Sequence, residues 1–520
     1  SAASESASGT IQINAVEGLR SLNIGGQTFS LSQLQSLSSS NPSAAINVVG
    51  GTIVLNGFTA NSSVGGIPTS GSLSYTYTLN NAQTHSAVGN DDLLLSGIPL
   101  SVTDAGGVTT TGSLVVQVID DVPTAVNDSN SIPVGSLAVV TGNVVSNDTK
   151  GADGARVTTV KSDTAGGADV TINPVGNYQV SGQYGTLTIH SDGSYSYARN
   201  AGSAGGVSDV FTYTLTDGDN DKATAQLTIT IADATPTSTI PTAGGATTTV
   251  YESGLNGGTE ASTNKETTSG TISFTSPDGL AVSDAIKLGG HTLTTTNQSF
   301  SDGLTARYEY NAATGTGTIY YSYTLPAKTS GDNTTATFAV EIKDADGDSA
   351  TAGNLVINIV DDAPITVADT GSVTEGALLT KDAASGVLSS DQSGADGWAI
   401  GGGVVGVAKG NTGTTSSTGV GTSITGDYGT LTLNANGSYS YKADPNKITA
   451  NAQDVFTYTV RDADGDLKTS TLTINVQDVT ANPLTTVGSV REDGIDANGT
   501  QPAGTDASSS SNIINGDLNL

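Results

Sequence analysis

The sequence predicts an all-β protein built as a linear tandem array of antiparallel β-sandwich units. Three observations carry this: segments that recur along the chain, apolar residues that alternate with Thr and Ser inside them, and an almost complete lack of helical spacing. With 66 Gly among 520 residues and only 13% charged residues, the composition suits many short strands joined by glycine turns. A disordered chain would be charge-rich and apolar-poor, whereas 35% of this one is hydrophobic.

The recurring segments are of two kinds. DVFTYTLTDGDND (Asp209–Asp221) matches DVFTYTVRDADGD (Asp454–Asp466), and YGTLTIHSDGSYSY (Tyr184–Tyr197) matches YGTLTLNANGSYSY (Tyr428–Tyr441). Upstream, NDTKGADG (Asn147–Gly154) matches SDQSGADG (Ser390–Gly397), which completes a type A unit. Type B units carry SGTIQINAVEGL (Ser8–Leu19) or SGTISFTSPDGL (Ser269–Leu280), followed by GSLSYTYTL (Gly71–Leu79) or GTIYYSYTL (Gly317–Leu325). The order is B-A-B-A: 1–122 (type B, lacking its first strand), 123–235 (A), 236–363 (B) and 364–480 (A). Residues 481–520 open a further type B unit and are a possible donor strand.

Within the units, Phe211, Tyr213 and Leu215 alternate with Thr212, Thr214 and Thr216, and Ala225, Leu227, Ile229 and Ile231 do the same on the next strand. Period-two alternation of this kind marks a half-buried strand. Asp192-Gly193 and Asn436-Gly437 supply hairpin turns in which Gly takes the positive φ. Leu31, Leu34 and Leu37 form the one short helical candidate.

Cysteine is absent, which removes disulfides, thiol nucleophiles and zinc knuckles. A net charge of −31 disfavours nucleic acid and anionic membranes as partners, and no apolar run is long enough for a membrane helix. Gly401, Gly403 and Gly406 match a nucleotide-loop spacing, but no helix can follow them. His85, His190 and His291 fall in three different units, and Trp398 stands alone, so neither a catalytic base nor a sugar platform is indicated. Paired acids could serve a glycosidase, but these recur in turns unit after unit, and enzymes rarely repeat an active site at every joint. The expectation is a non-enzymatic protein.

The acids cluster in three places: Asp217/Asp219/Asp221, Asp344/Asp346/Asp348 and Asp462/Asp464/Asp466. At ~6 Å and an effective dielectric of ~20, each carboxylate pair repels by roughly 3 kcal/mol, so a bound cation is expected among them. Oxygen ligands at alternate positions suit calcium, and the EF-hand pattern is excluded because its sixth-position Gly and twelfth-position Glu are missing. The rival is a solvated turn.

Each cluster precedes the last strand of its unit, and that strand ends at a short linker: IDDVP (Ile119–Pro123), IADATP (Ile231–Pro236), IVDDAP (Ile359–Pro364) and VQDVTANP (Val476–Pro483). The cluster therefore sits at the opposite end of its unit, facing the preceding linker. Asp217, Asp219 and Asp221 should meet Asp120 and Asp121; Asp344, Asp346 and Asp348 should meet Asp233; and Asp462, Asp464 and Asp466 should meet Asp361 and Asp362. Glu252, Glu375 and Glu492, in the opening strands of their units, are further candidate ligands at these joints or, alternatively, charges that protect a sheet edge. In the first unit the loop is TDAGGV, which keeps only Asp104, and weak or no metal binding is expected there.

Taken together, the type A segments resemble VCBS or cadherin-like repeats, and the type B segments ending KDADGDSATAGNLVINIVDDAP resemble the companion repeats of type I secretion targets in giant bacterial RTX-type adhesins. The resemblance covers nearly the whole chain and implies Ig-like/cadherin-like sandwiches in an extender region. It further implies an extracellular, calcium-rigidified stalk on a bacterial cell surface, involved in adhesion or biofilm. The partners would then be neighbouring repeats of the same or an identical chain, with the adhesion ligand not encoded in this segment.

Alignment of Ser1–Ile13 with Ala261–Phe274 leaves the first unit without a counterpart to TTTVYESG (Thr247–Gly254), while TTVGSVREDG (Thr485–Gly494) provides one at the far end. Two expectations follow: a segment of a longer continuous array, or a filament protomer whose copies complement each other head to tail. A ligand-binding adhesin head is the third alternative.

Overall fold

The computed structural model describes residues 5–85 and 93–480. Four hydrophobic cores follow one another along the chain, within residues 11–118, 125–231, 240–359 and 373–476, and each lies between facing sheets. They define four all-β units in tandem.

The second unit shows why the pattern folds this way. Val207–Asp217 and Lys222–Ile231 pair as an antiparallel hairpin, with Phe211, Tyr213, Leu215, Leu227, Ile229 and Ile231 buried and the intervening Thr side chains turned outward. The hairpin belongs to a five-stranded sheet with Asp128–Ile132, Ala155–Ser162 and Val170–Thr171. The opposing sheet orders Val140–Asn143, Ser194–Arg199, Gly185–Ile189 and Tyr178–Ser181. Gly193, at φ 85°, makes the predicted turn beside Asp192, whose Oδ1 accepts from Ser194 N. The fourth unit repeats these sheets without a counterpart of Val170–Thr171, and with Phe456, Tyr458 and Val460 in place of Phe211, Tyr213 and Leu215.

Between the sheets of each type A unit, one buried carboxylate ties the layers together. Asp209 accepts from Gln183 N, Tyr184 N and Tyr197 Oη, the last at 2.6 Å. Asp454 accepts from Asp427 N, Tyr428 N and Tyr441 Oη in the same way.

The helical candidate is a helix over Leu31–Ser36, capped by Ser30 and Gln33, with Leu34 in the first core. One feature departs from all-antiparallel sheets. An early strand of the second, third and fourth units runs parallel to the last strand: Asp128–Ile132 beside Leu227–Ile231, Thr249–Tyr251 beside Asn358–Val360, and Asp369–Thr374 beside Leu472–Gln477. In the third unit it is the second strand rather than the expected first, because Thr237–Thr239 precedes it and pairs antiparallel in the other sheet. Both strands run away from the preceding linker, because the chain arrives at the leading end of the unit and leaves from the trailing end. In the first unit the last long strand, Thr109–Leu114, is an exposed sheet edge, and no parallel strand covers it among the described residues.

Candidate metal centres at the joints

All three acid clusters sit on the turn of the final hairpin. The first acid of each shapes the turn: Asp217, Asp344 and Asp462 each accept from the backbone N–H four residues on, at 2.7 Å in every case. Asp104 makes the same bond to Val108 N at 2.8 Å, so the first unit keeps the turn but has Gly106 and Val108 where the other units have acids.

At the first joint the carboxylate oxygens of Asp120, Asp219 and Asp221 lie within 4.8 Å of one another, as do those of Asp153, Asp217 and Asp219. Asp120 Oδ2 and Asp219 Oδ1 are buried without a hydrogen-bond partner. Of the two linker acids, Asp120 joins this group, while Asp121 is exposed. His85 approaches from the first unit, its Nε2 3.7 Å from Asp120 Oδ1.

At the middle joint Asp233, Asp278 and Asp346 converge, and Asp346 Oδ2 also accepts from Gly205 N of the preceding unit at 3.0 Å. Asp344 is fully buried, with Oδ2 unpartnered, and Asp348 is exposed.

At the third joint Glu252, Asp361 and Asp396 form one group and Asp332, Asp361 and Asp466 another. Asp464 Oδ2 accepts from Gly331 N across the joint at 3.2 Å, the counterpart of the Gly205–Asp346 bond. Glu252 Oε2, Asp361 Oδ1, Asp396 Oδ2, Asp462 Oδ2 and Asp464 Oδ1 are all buried without partners. Asp362 stands apart: its oxygens accept from Thr259 N, Thr259 Oγ1 and Ala395 N, and it holds the linker in place.

The parallel strand decides where the glutamates lie. Glu252 follows Thr249–Tyr251 and therefore reaches the trailing end of its unit, at the third joint. Glu375 follows Asp369–Thr374 to the trailing end of the fourth unit, where Oε1 accepts from Val479 N and Oε2 is buried without a partner. Glu492 lies outside the described residues.

Sequence reasoning missed Asp153, Asp278, Asp396 and Asp332. The first three occupy the loops GADG, SPDG and GADG, each one residue before a glycine near the leading end of its unit. Their recurrence ahead of every DxDxD cluster was the available signal.

Burial and like charge dominate the electrostatics of the clustered acids. Burial pushes Asp344, Asp361 and Asp462 up to about 7, with Asp346 adding to the first, Asp464 and Asp466 to the second and Asp464 to the third. Asp217 is raised to about 6 by burial and by Asp219. Burial also raises Asp120 and Asp396. Unpartnered buried carboxylate oxygens supplied from both sides of a joint form a hard donor set that fits a divalent cation.

In class, the chain is a tandem array of all-β units with cadherin-like and Ig-like structural neighbours. Residues 120–233 and 361–478, the second and fourth units, each match the family model described as bacterial cadherin-like domain. Similar solved structures include the protocadherin gammaB4 extracellular domain, at 12% identity over 94% of this chain and 69% of that one, with a TM-score of 0.27. Drosophila N-cadherin EC1–3 aligns at 12% identity over 68% of this chain and 99% of its own, TM-score 0.22. A tetra-tandem repeat from the extending region of a large adhesion protein aligns at 14% identity over 91% and 96%, TM-score 0.23. No curated protein matches. Among the described residues no helix is long and apolar enough to cross a membrane.

Proposed function

We propose that this chain is a non-enzymatic spacer from the extender region of an extracellular bacterial adhesin, stiffened by calcium ions at its joints. The observation that carries the reading is the meeting, at each joint, of acids from two successive units, with buried oxygens that lack hydrogen-bond partners on both sides of the third joint and on Asp120 and Asp219 at the first. A cation bound there bridges the units and turns linked beads into a rod. Calcium is the ion of choice because irregular sites rich in carboxylates favour the larger ion over magnesium. Extracellular modules bind it at about 10⁻⁴–10⁻³ M, so the sites fill outside the cell and stay empty in the cytoplasm. The units fall at the boundaries 1–122, 123–235, 236–363 and 364–480, and the chain's partners are neighbouring repeats. Secretion by a type I system and a part in biofilm belong to the same reading. Calorimetric titration tests it: several calcium ions bind the chelator-treated chain, magnesium binds far more weakly, and Asp464→Asn removes part of the heat. Equal binding of magnesium, or none of either ion, contradicts it.

A second reading has one observation in its favour, the open edge Thr109–Leu114. In it the segment Thr485–Gly494, which lies outside the described residues, pairs with that edge on another copy and builds a filament. End-to-end association that survives deletion of Pro483–Leu520 excludes it.

A further inference from the structure

The three joints are not equivalent. In the middle joint Arg199 of the second unit and Asp278 of the third form an ion pair at 2.9 Å, and both side chains are 0% exposed. Asp278 Oδ2 accepts in turn from Ala234 N of the linker at 2.7 Å, so both oxygens of this carboxylate are partnered. At the third joint Asp396 stands in the corresponding Asp-Gly loop and has an unpartnered Oδ2. Its basic neighbour there, Lys328, is 3.5 Å away with its side chain 46% exposed.

The trailing end of the second unit also differs from that of the other type A unit. Arg199 pairs with Gly185 at the end of its strand, and at the same place in the fourth unit Ala443 pairs with Gly429. The second unit also lacks the trailing glutamate. Ile132 pairs with Ile231 as Val373 pairs with Val476, so Val134 stands where Glu375 does. The trailing end of the second unit thus has one anion fewer and one buried cation more than that of the fourth.

The remaining contacts agree with this. The middle joint has one unpartnered buried carboxylate oxygen, on Asp344, where the third has five on its clustered acids and a sixth on Glu266, beside Gly254. Backbone packing is also close: a Cβ on Gly205 would lie 2.0 Å from Asp278 Oδ2, and one on Gly279 would lie 2.2 Å from Gly202 O. Nothing larger than glycine fits at either position.

We propose that Arg199 acts as a built-in cation of the middle joint, so that this joint takes up less divalent metal than the other two and keeps its geometry when metal is removed. The guanidinium already supplies the positive charge and directional donors that Asp278 needs, and it repels a second cation from that carboxylate. The proposal rests on the reading of the joints as cation sites. It makes the array a rod with a permanent centre and metal-dependent flanks.

The chain has no cysteine, so paired labels can be placed without background. Val175, Val282 and Ile400 are fully exposed positions in the second, third and fourth units. Spin labels at Val175→Cys and Val282→Cys report the middle joint, and labels at Val282→Cys and Ile400→Cys report the third. In chelator, the 282/400 distance distribution should broaden at least twofold while the 175/282 distribution keeps its width. Adding Arg199→Gln should broaden the 175/282 distribution in chelator, and Asp278→Asn, which removes the partner from the other side, should do the same. Equal broadening of both pairs in the chain that keeps Arg199, or an unchanged 175/282 width in both variants, overturns the proposal. If the 282/400 width ignores chelator, the cation reading of the joints fails. The Arg199→Gln and Asp278→Asn measurements then still decide the role of the ion pair.

Discussion

Replacing Asp396 by Asn should move stability in opposite directions with and without calcium. The oxygens of Glu252, Asp361 and Asp396 lie within 4.8 Å of one another. At an effective dielectric of ~20 each pair at that distance repels by roughly 3 kcal/mol, so neutralising Asp396 relieves two pairs, roughly 6–7 kcal/mol before any relaxation. In the ion-free chain, opening of the joint and solvent screening leave about 1 kcal/mol of this as measurable stabilisation. At ~120 residues per unit that is a rise of about 4 °C in Tm. Calcium acts the other way. A site of about 10⁻⁴ M affinity at 10 mM calcium contributes about 2.7 kcal/mol to the unsubstituted chain, or about 10 °C. Loss of a ligand oxygen that weakens binding about 30-fold leaves about 0.9 kcal/mol of it. Scanning calorimetry in chelator and in calcium reads both quantities. Asp396→Asn should raise the chelator Tm and shrink the calcium increment to a few degrees. A lowered chelator Tm with an undiminished increment would show that Asp396 is a structural acid, and the reasoning would fail.

Three further outcomes are expected. Asp464→Asn should reduce the calcium-dependent rise in Tm by several degrees while Asp104→Asn leaves it unchanged, because the Asp104 turn has Gly106 and Val108 where the other turns carry acids; equal losses would remove the distinction between the first unit and the others. Burial raises Asp391 from 3.8 to about 6, and the neighbouring negative charge of Asp369 adds to the rise. The folded chain therefore binds more protons than the unfolded chain between those values, so this contribution to stability is complete below the unfolded value and lost as pH rises through about 6. Urea midpoints of the fourth unit should fall across that range, and Asp391→Asn should flatten the slope. Finally, Asp209→Ala strands Gln183 N, Tyr184 N and Tyr197 Oη in the core of the second unit. At about 1–3 kcal/mol per buried donor left alone, a loss of about 3 kcal/mol or more is expected from denaturant titration.

Much of the fold was legible because a strand writes its buried face directly into the sequence. Phe211, Tyr213 and Leu215 declare themselves by alternation, and the acids between Leu215 and Ala225 then have to be a hairpin turn. From the position of that turn ahead of the last strand, the approach of Asp120, Asp233 and Asp361 to the clusters followed. Strand direction is a different matter, since alternation reads the same both ways. The parallel pairing of Thr249–Tyr251 with Asn358–Val360, which carries Glu252 to the trailing end, left no trace in the pattern. Asp278 and Arg199 were hidden for another reason. They are 79 residues apart, and their pairing depends on how two units dock, which the local sequence of neither unit contains.

The central claim, that metal at the joints sets the stiffness of the array, is tested most directly by small-angle X-ray scattering of the whole chain in calcium and in chelator. In calcium the scattering should be that of a straight rod of four units. Removal of the metal should let the first and third joints bend, shortening the maximum dimension and broadening the pair-distance distribution, and calcium should restore both. A maximum dimension and distribution that stay the same on chelation would contradict the account.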